Sequence, residues 1–183
     1  MIKSVASQVS LFVGILAMSL FSCTSVNGKD SSDFIELFKH ELQNRALAVV
    51  AVANAAEDRK GKPDGEFWHL YSQLEQINQK KFIPYAEKYQ LAYTMNMSTK
   101  IKLTLSELYG SIYPKHHLSL LVEATAKYVD KLKELKKLSP ADDKEFFRYV
   151  VLQEKAQAES LKLLEADTGL AIEKMRAFIA TLK

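Results

Sequence analysis

The chain has 183 residues, a formal net charge of +3, 48% hydrophobic and 26% charged residues, a balance that supplies apolar surface for a packed core and excludes a disordered tail. Lys and Arg alternate with Asp and Glu instead of forming a continuous basic patch, which argues against nucleic acid as a partner. With one cysteine there is no intrachain disulfide, and with six glycines and no Gly-x-Ser-x-Gly there is neither a phosphate-cradling loop nor a nucleophile elbow.

In chain order, Lys3 is followed by the uncharged apolar run Leu11 to Phe21, which has the length of a signal-peptide hydrophobic region and falls short of the about 20 residues that span a bilayer. The run ends in Leu20-Phe21-Ser22-Cys23. This resembles a bacterial lipobox, in which a small residue precedes the cysteine that becomes diacylated and then the mature N-terminus; Phe21 is bulkier than the residue usual at its place. The resemblance implies a signal peptide over residues 1–22, lipidation at Cys23 and a flexible tether over 23–32. It also accounts for a lone cysteine in an oxidising compartment, because a thioether forms no disulfide. Each buried acyl CH₂ contributes about 0.8 kcal/mol, so several chains anchor the protein without a transmembrane helix. Thr24, where inner-membrane retention has Asp, implies the bacterial cell envelope, at the outer membrane and facing the periplasm. A plain secretory signal with an incidental cysteine is the alternative.

From residue 33 to 183 the spacing predicts an all-α domain. Asp33 and Glu36 form a capping-box pattern, and Ile35, Phe38, Leu42, Ala46, Val49, Ala53 and Ala56 give a first helix over 33–58. DRKGKPDG closes it, with Asp64 placed to cap a second helix striped by Phe67, Leu70, Leu74, Ile77 and Phe82 and kinked at Pro84. A third helix, interrupted near Gly110 to Pro114, carries Leu118, Leu121, Ala124, Tyr128, Leu132 and Leu135. Its basic run KLKELKK reads as a solvated face. Ser139-Pro140 with Asp142 and Asp143 signals the N-terminus of a fourth helix, and Asp167-Thr168-Gly169 a break before a shorter fifth. Four helices of similar length with short connections imply an up-and-down four-helix bundle with a short extra C-terminal helix.

The candidate site residues are the polar ones that fall on apolar stripes. Phe147, Val150, Glu154, Ala158 and Leu161 step by three or four, so Glu154 lies on the buried face. Glu41 lies beside the stripe of the first helix and Glu75 at the edge of the second, so three helices each offer one inward glutamate.

The segments HELQNRALAVVAVANAAED, FWHLYSQLEQINQKKFIPYAEKYQL and FRYVVLQEKAQAESLKLLEADTGLAIEKMRAFI resemble the helices of ferritin-like proteins. In that family Glu-x-x-His pairs hold two metal ions between facing helices. The chain departs from the pattern: Asn78 and Gln157 stand where Glu75 and Glu154 would have their histidines, and amides are poor iron ligands. Glu66-Phe67-Trp68-His69 is the literal match, but Glu66 opens a helix, where a carboxylate favours the N-terminus.

The resemblance therefore implies a ferritin-like bundle without intact metal chemistry, acting as a binding or structural module more than as an enzyme. Glu41, Glu75, Asn78, Glu154 and Gln157 would form a polar core network, with Arg45 and Tyr71 as further partners. One alternative is a residual iron or manganese protein, oxidase-like or metal-storing, with Glu41, Glu75 and Glu154 completed by His40 or His117. Another is an accessory or immunity-type lipoprotein that binds a secreted protein, which a large exposed apolar patch would favour.

Overall fold

The computed structural model describes residues 30–182. Cys23 and the leader lie outside the described residues. The described elements are six α-helices and one short 3₁₀ turn: α1 Asp30–Asp58, α2 Gly65–Lys88, α3 Met97–Ile112, α4 Pro114–Leu138, the turn Ala141–Asp143, α5 Lys144–Ala166 and α6 Thr168–Ala180. The protein is all-α among these residues, and the helices pack as a bundle.

Two apolar clusters hold the bundle at opposite ends. One joins Phe34, Phe38 and Leu42 of α1 to Phe82 and Ala86 of α2, Leu132 and Leu135 of α4, and Phe146, Phe147, Val150 and Val151 of α5. The other joins Val52 of α1, Phe67, Tyr71 and Leu74 of α2, Leu161 and Leu164 of α5, and Ala171, Met175 and Ile179 of α6. The order of these positions fixes helix direction. In the first cluster α1 and α5 contribute their early residues, while α2 and α4 contribute late ones, so α1 and α5 run one way and α2 and α4 the other.

That order differs from simple up-and-down alternation. Successive long helices α2 and α4 run parallel, so the chain must return along the bundle between them, and α3 makes the return. Its capping residue Asn96 contacts Gln43 and its Glu107 contacts Asn54, so α3 lies alongside α1 and parallel to it. The single interrupted helix expected over this region is instead two helices packed on one another. Pro114 is the reason: it keeps Tyr113 out of the helical region (φ −129°, ψ 61°) and starts α4 at its first position. Gly110 then permits close packing across the joint, because a Cβ there would sit 2.7 Å from Nδ1 of His117.

The helix ends are tied differently from the sequence expectation at three places. α1 begins at Asp30, so Asp33 and Glu36 lie inside its first turns and do not start it. Asp64 does not cap α2; its carboxylate accepts from Arg59 and from Trp68 Nε1 at 3.1 Å. The N-terminus expected at Ser139-Pro140 holds the 3₁₀ turn instead, and α5 starts at Lys144, so Asp142 and Asp143 precede its first turn; Asp143 reaches across to Lys88 Nζ at 2.6 Å and accepts from the Tyr89 hydroxyl, binding the start of α5 to the end of α2. Elsewhere the local code holds: Asn96 accepts from Thr99 N at 2.8 Å, and Asp167 from Leu170 N at 3.1 Å at the expected break. α2 continues through Pro84 to Lys88.

At the end of α2 the Leu91 amide donates to Ala86 O at 2.8 Å and the Gln90 amide to Glu87 O at 3.0 Å, closing a Schellman turn with Gln90 at φ 54°. An L-residue pays about 1 kcal/mol for that conformation, so Gln90→Gly should raise stability by about 0.5–1 kcal/mol in urea unfolding. Phe147 is fully buried, with ring centroids of Phe34, Phe38 and Phe146 at 5.3, 5.2 and 5.0 Å. Phe147→Ala should cost about 3–5 kcal/mol in the same measurement, whereas Leu170→Ala at a half-exposed position should change stability by less than about 0.5 kcal/mol.

Candidate functional site: a buried arginine among three glutamates

Between the two apolar clusters lies a polar layer supplied by three helices. Glu41 and Arg45 come from α1, Glu75 and Asn78 from α2, and Gln153, Glu154 and Gln157 from α5; each is at most 5% exposed. Spacings of three and four within each helix bring the members to one face.

Arg45 sits at the centre. Its Nη1 donates to Glu75 Oε1 at 2.9 Å, its Nη2 to Glu154 Oε2 at 2.9 Å, and its Nε lies 3.2 Å from Glu41 Oε1. The same Nη1 reaches the side-chain carbonyls of Gln153 at 3.4 Å and Gln157 at 3.3 Å. Five side chains from three helices therefore converge on one guanidinium. Its planar fork of donors can meet several acceptors at once, which an ammonium on a flexible stem does less well.

A second circle of donors holds the acceptors in place. The Gln157 amide donates to Glu75 Oε1, and the Tyr71 hydroxyl to Gln157 Oε1 at 3.4 Å. Asn78 Nδ2 donates to Gln153 Oε1 at 2.9 Å, while the Tyr149 hydroxyl donates to Asn78 Oδ1. From α4 the Tyr128 hydroxyl donates to Glu41 Oε2 at 2.6 Å and accepts from Asn44 Nδ2 at 2.7 Å. Gln153 Nε2 donates to Val150 O at 3.1 Å, and lies 3.3 Å from Glu154 Oε2.

The layer holds three carboxylates against one guanidinium, so burial cannot be fully offset by pairing. Burial raises the Glu41 carboxyl from an ordinary 4.5 to about 7; Arg45 opposes the shift, and Glu154 and Glu75 add to it. Glu154 is raised by burial in the same direction. Burial works against the charge of Arg45, but Glu75, Glu154 and Glu41 together outweigh it and hold the guanidinium charged well above its ordinary range. Glu41 therefore titrates close to neutral pH, where an ordinary carboxyl is fully ionised.

The structure gathers Glu41, Glu75, Asn78, Glu154 and Gln157 at this one place. His40 and His117 are elsewhere. His40 is exposed on α1, and His117 packs at the joint of α3 and α4, 2.8 Å from Ser106 Oγ, where burial depresses its pKa. His116 pairs with Tyr109, and His69 lies 2.9 Å from Gln73. Among the described residues no group of three His, Cys, Asp or Glu side chains is placed to hold a metal ion. Gln153, Tyr128, Tyr149 and Asn44 belong to the layer and its outer circle although no sequence motif marks them. The available signal for Gln153 is its place in the stripe Phe146, Val150, Gln153, Gln157.

Comparison of the chain with protein-family models, with curated proteins and with solved structures returns no match.

Arg45→Met would leave three buried carboxylates without their cation and should destabilise the protein by on the order of 3–5 kcal/mol. Adding Glu75→Gln and Glu154→Gln to that variant should restore most of the loss, because neutral amides remain hydrogen-bonded without an uncompensated charge. The raised Glu41 pKa also sets a sign for pH dependence. The native state binds this proton more tightly than the unfolded chain between 4.5 and about 7, so its contribution falls as pH rises through that window, by on the order of 3 kcal/mol. Tm should therefore decrease from pH 6 to pH 8, roughly the upper half of this titration. Glu41→Gln should flatten the decrease and be at least as stable as the parent at the upper end. The depressed His117 has the opposite sign and acts below its ordinary 6.5, so it does not produce the same slope.

Proposed function

We propose that this chain is a lipid-anchored, periplasm-facing helical module of the ferritin-like type, in which Arg45 takes the charge-compensating place that metal ions have in that family. It acts as a binding or structural protein. The observation that carries the reading is that all three nitrogens of Arg45 face Glu41, Glu75 and Glu154 at 2.9–3.2 Å. The carboxylates are turned to the guanidinium, and neither His40 nor His117 stands beside them. These residues do not fit a di-iron or di-manganese centre, which takes carboxylate and imidazole donors around an open cation position.

Topology supports the same type. Long helices in the order up, down, down, up, with one long crossover between the second and third, are the connectivity of ferritin-like bundles. The anchoring part of the reading rests on Leu20-Phe21-Ser22-Cys23 and the apolar run before it.

The alternative of an accessory lipoprotein that binds a secreted protein is favoured by one feature. The outward side of α3 exposes Met97, Ile101, Leu105, Leu108 and Ile112.

Two measurements test the reading. Protein purified from its native membrane without chelator should contain no stoichiometric iron, manganese or zinc, and Arg45→Met should acquire metal before the parent does if it folds. Near-stoichiometric metal in the parent that is lost in Glu154→Ala would overturn the reading. Mass spectrometry of the same protein should find an N-terminus at Cys23 carrying acyl chains; an unmodified N-terminus elsewhere would sink the anchor.

A further inference from the structure

α3 is amphipathic with its apolar side turned away from the bundle. Residues buried on it are Thr99 and Tyr109, whereas Met97, Ile101, Leu105, Leu108 and Ile112 are 42–72% exposed. At about 100° per residue these five fall within about 80° of rotation, so they form one stripe. Lys100 and Lys102 lie on either side, each about 100° from its centre. Glu107, the one acidic residue of α3, is engaged by Asn54 of α1. Tyr113 continues the apolar surface at 42% exposure, and Lys115 follows at the start of α4. Residues 97–115 thus carry three lysines against one glutamate, a formal +2.

We infer that the α3 stripe rests in the headgroup region of an anionic lipid surface, with Lys100 and Lys102 reaching up to lipid phosphates. Two considerations select lipid over a protein occupant. The 16-residue helix is about 24 Å long and 10–12 Å across, so two such faces meeting would bury on the order of 600 Å², short of the roughly 1,000 Å² that a stable protein interface needs. A lipid surface takes up an isolated apolar stripe without shape complementarity, and flanking lysines lay their apolar stems along it while the charges stay at headgroup level. The charge has the matching sign, because an anionic leaflet attracts lysines close to its surface. No described helix is long and apolar enough to cross a membrane, so contact is along the surface.

The inference deepens the anchored reading and draws on it for proximity alone. Residues 24–29 reach at most about 20 Å, and α3 begins beside Gln43, about 20 Å along α1 from Asp30. With the long axis of the bundle lying in the membrane plane, an anchor at Cys23 and the α3 stripe meet the same surface.

The test uses the chain from residue 24, which retains every side chain of both apolar clusters, since they run from Phe34 to Ile179. Lacking the lipid, it reports on α3 whether or not Cys23 is acylated, and mass spectrometry of the native protein reads the anchor separately. Cosedimentation with mixed phosphatidylcholine and phosphatidylglycerol vesicles should show binding at least about tenfold stronger than to phosphatidylcholine alone, weakening with salt. Ile101→Asp with Leu108→Asp should lose at least about tenfold while keeping the parent's thermal unfolding, because both positions are exposed. Lys100→Glu with Lys102→Glu should lose the preference for the anionic lipid. Equal vesicle binding by the parent and the stripe variant would overturn the inference. So would a parent that ignores vesicles, including one whose stripe instead forms a dimer that the same variant abolishes.

Discussion

Arg45 is the interaction on which the rest of the bundle depends. Three carboxylates on three helices would repel one another and resist burial; with the guanidinium between them they become a point at which α1, α2 and α5 must meet in one register. The arrangement is not neutral. One positive charge against three acids leaves an excess, and burial raises the proton affinity of Glu41 and Glu154 in response. The layer is therefore costly in charge terms, and tyrosine and amide donors offset part of that cost, Tyr128 at Glu41 Oε2 and Gln157 at Glu75 Oε1, while Glu75 Oε2 is buried without a hydrogen-bond partner.

The two apolar clusters make that cost bearable and receive specificity in return. Aromatic residues crowd one end, where Phe34, Phe38, Phe146 and Phe147 pack edge to face, while at the other Phe67, Trp68 and Tyr71 of α2 pack among aliphatic side chains and Met175. Apolar contact of this kind is undemanding about alignment, since a helix can slide by a turn and still bury its stripe. The polar layer is demanding, because a slide of one turn would carry Glu75 or Glu154 away from Arg45 and leave each buried without a partner. Apolar ends supply the driving force and the middle layer sets the register.

How much of this could be read from the chain alone follows from which terms are local. Helical periodicity put Glu154 on a buried stripe, and the structure buries it to 2% exposure. The helix boundaries near Pro114 and Asp167 were legible because proline geometry and an Asx cap act within a few residues. Helix direction was not legible. Nothing within residues 89–113 states that the chain runs back along α1, since that is decided by which cluster Phe82 and Leu132 share. Asp64 was misassigned for a related reason. It has the sequence position of a cap, yet Arg59 and the Trp68 ring N–H offer donors that compete with the backbone amides. Gln153 escaped notice because an amide on a stripe carries no signature until its partners on other helices are known.

The crossover also explains why α3 is inverted. A helix that completes a core must bury its apolar stripe against its neighbours, but here α1, α2, α4, α5 and α6 already enclose the two clusters, and Leu103 and Gly110 beside Thr99, Ser106 and Tyr109 are what α3 turns toward α1 and α4. Its inward contacts are correspondingly polar and short: Asn54 with Glu107, Ser106 with His117, Tyr109 with His116. Such contacts hold α3 in place without needing its aliphatic residues, which leaves Ile101, Leu105, Leu108 and Ile112 outside the folding problem altogether. Apolar side chains that the fold does not use are selected by something else that the molecule touches, and on this chain they are gathered on the one helix whose structural task is to connect.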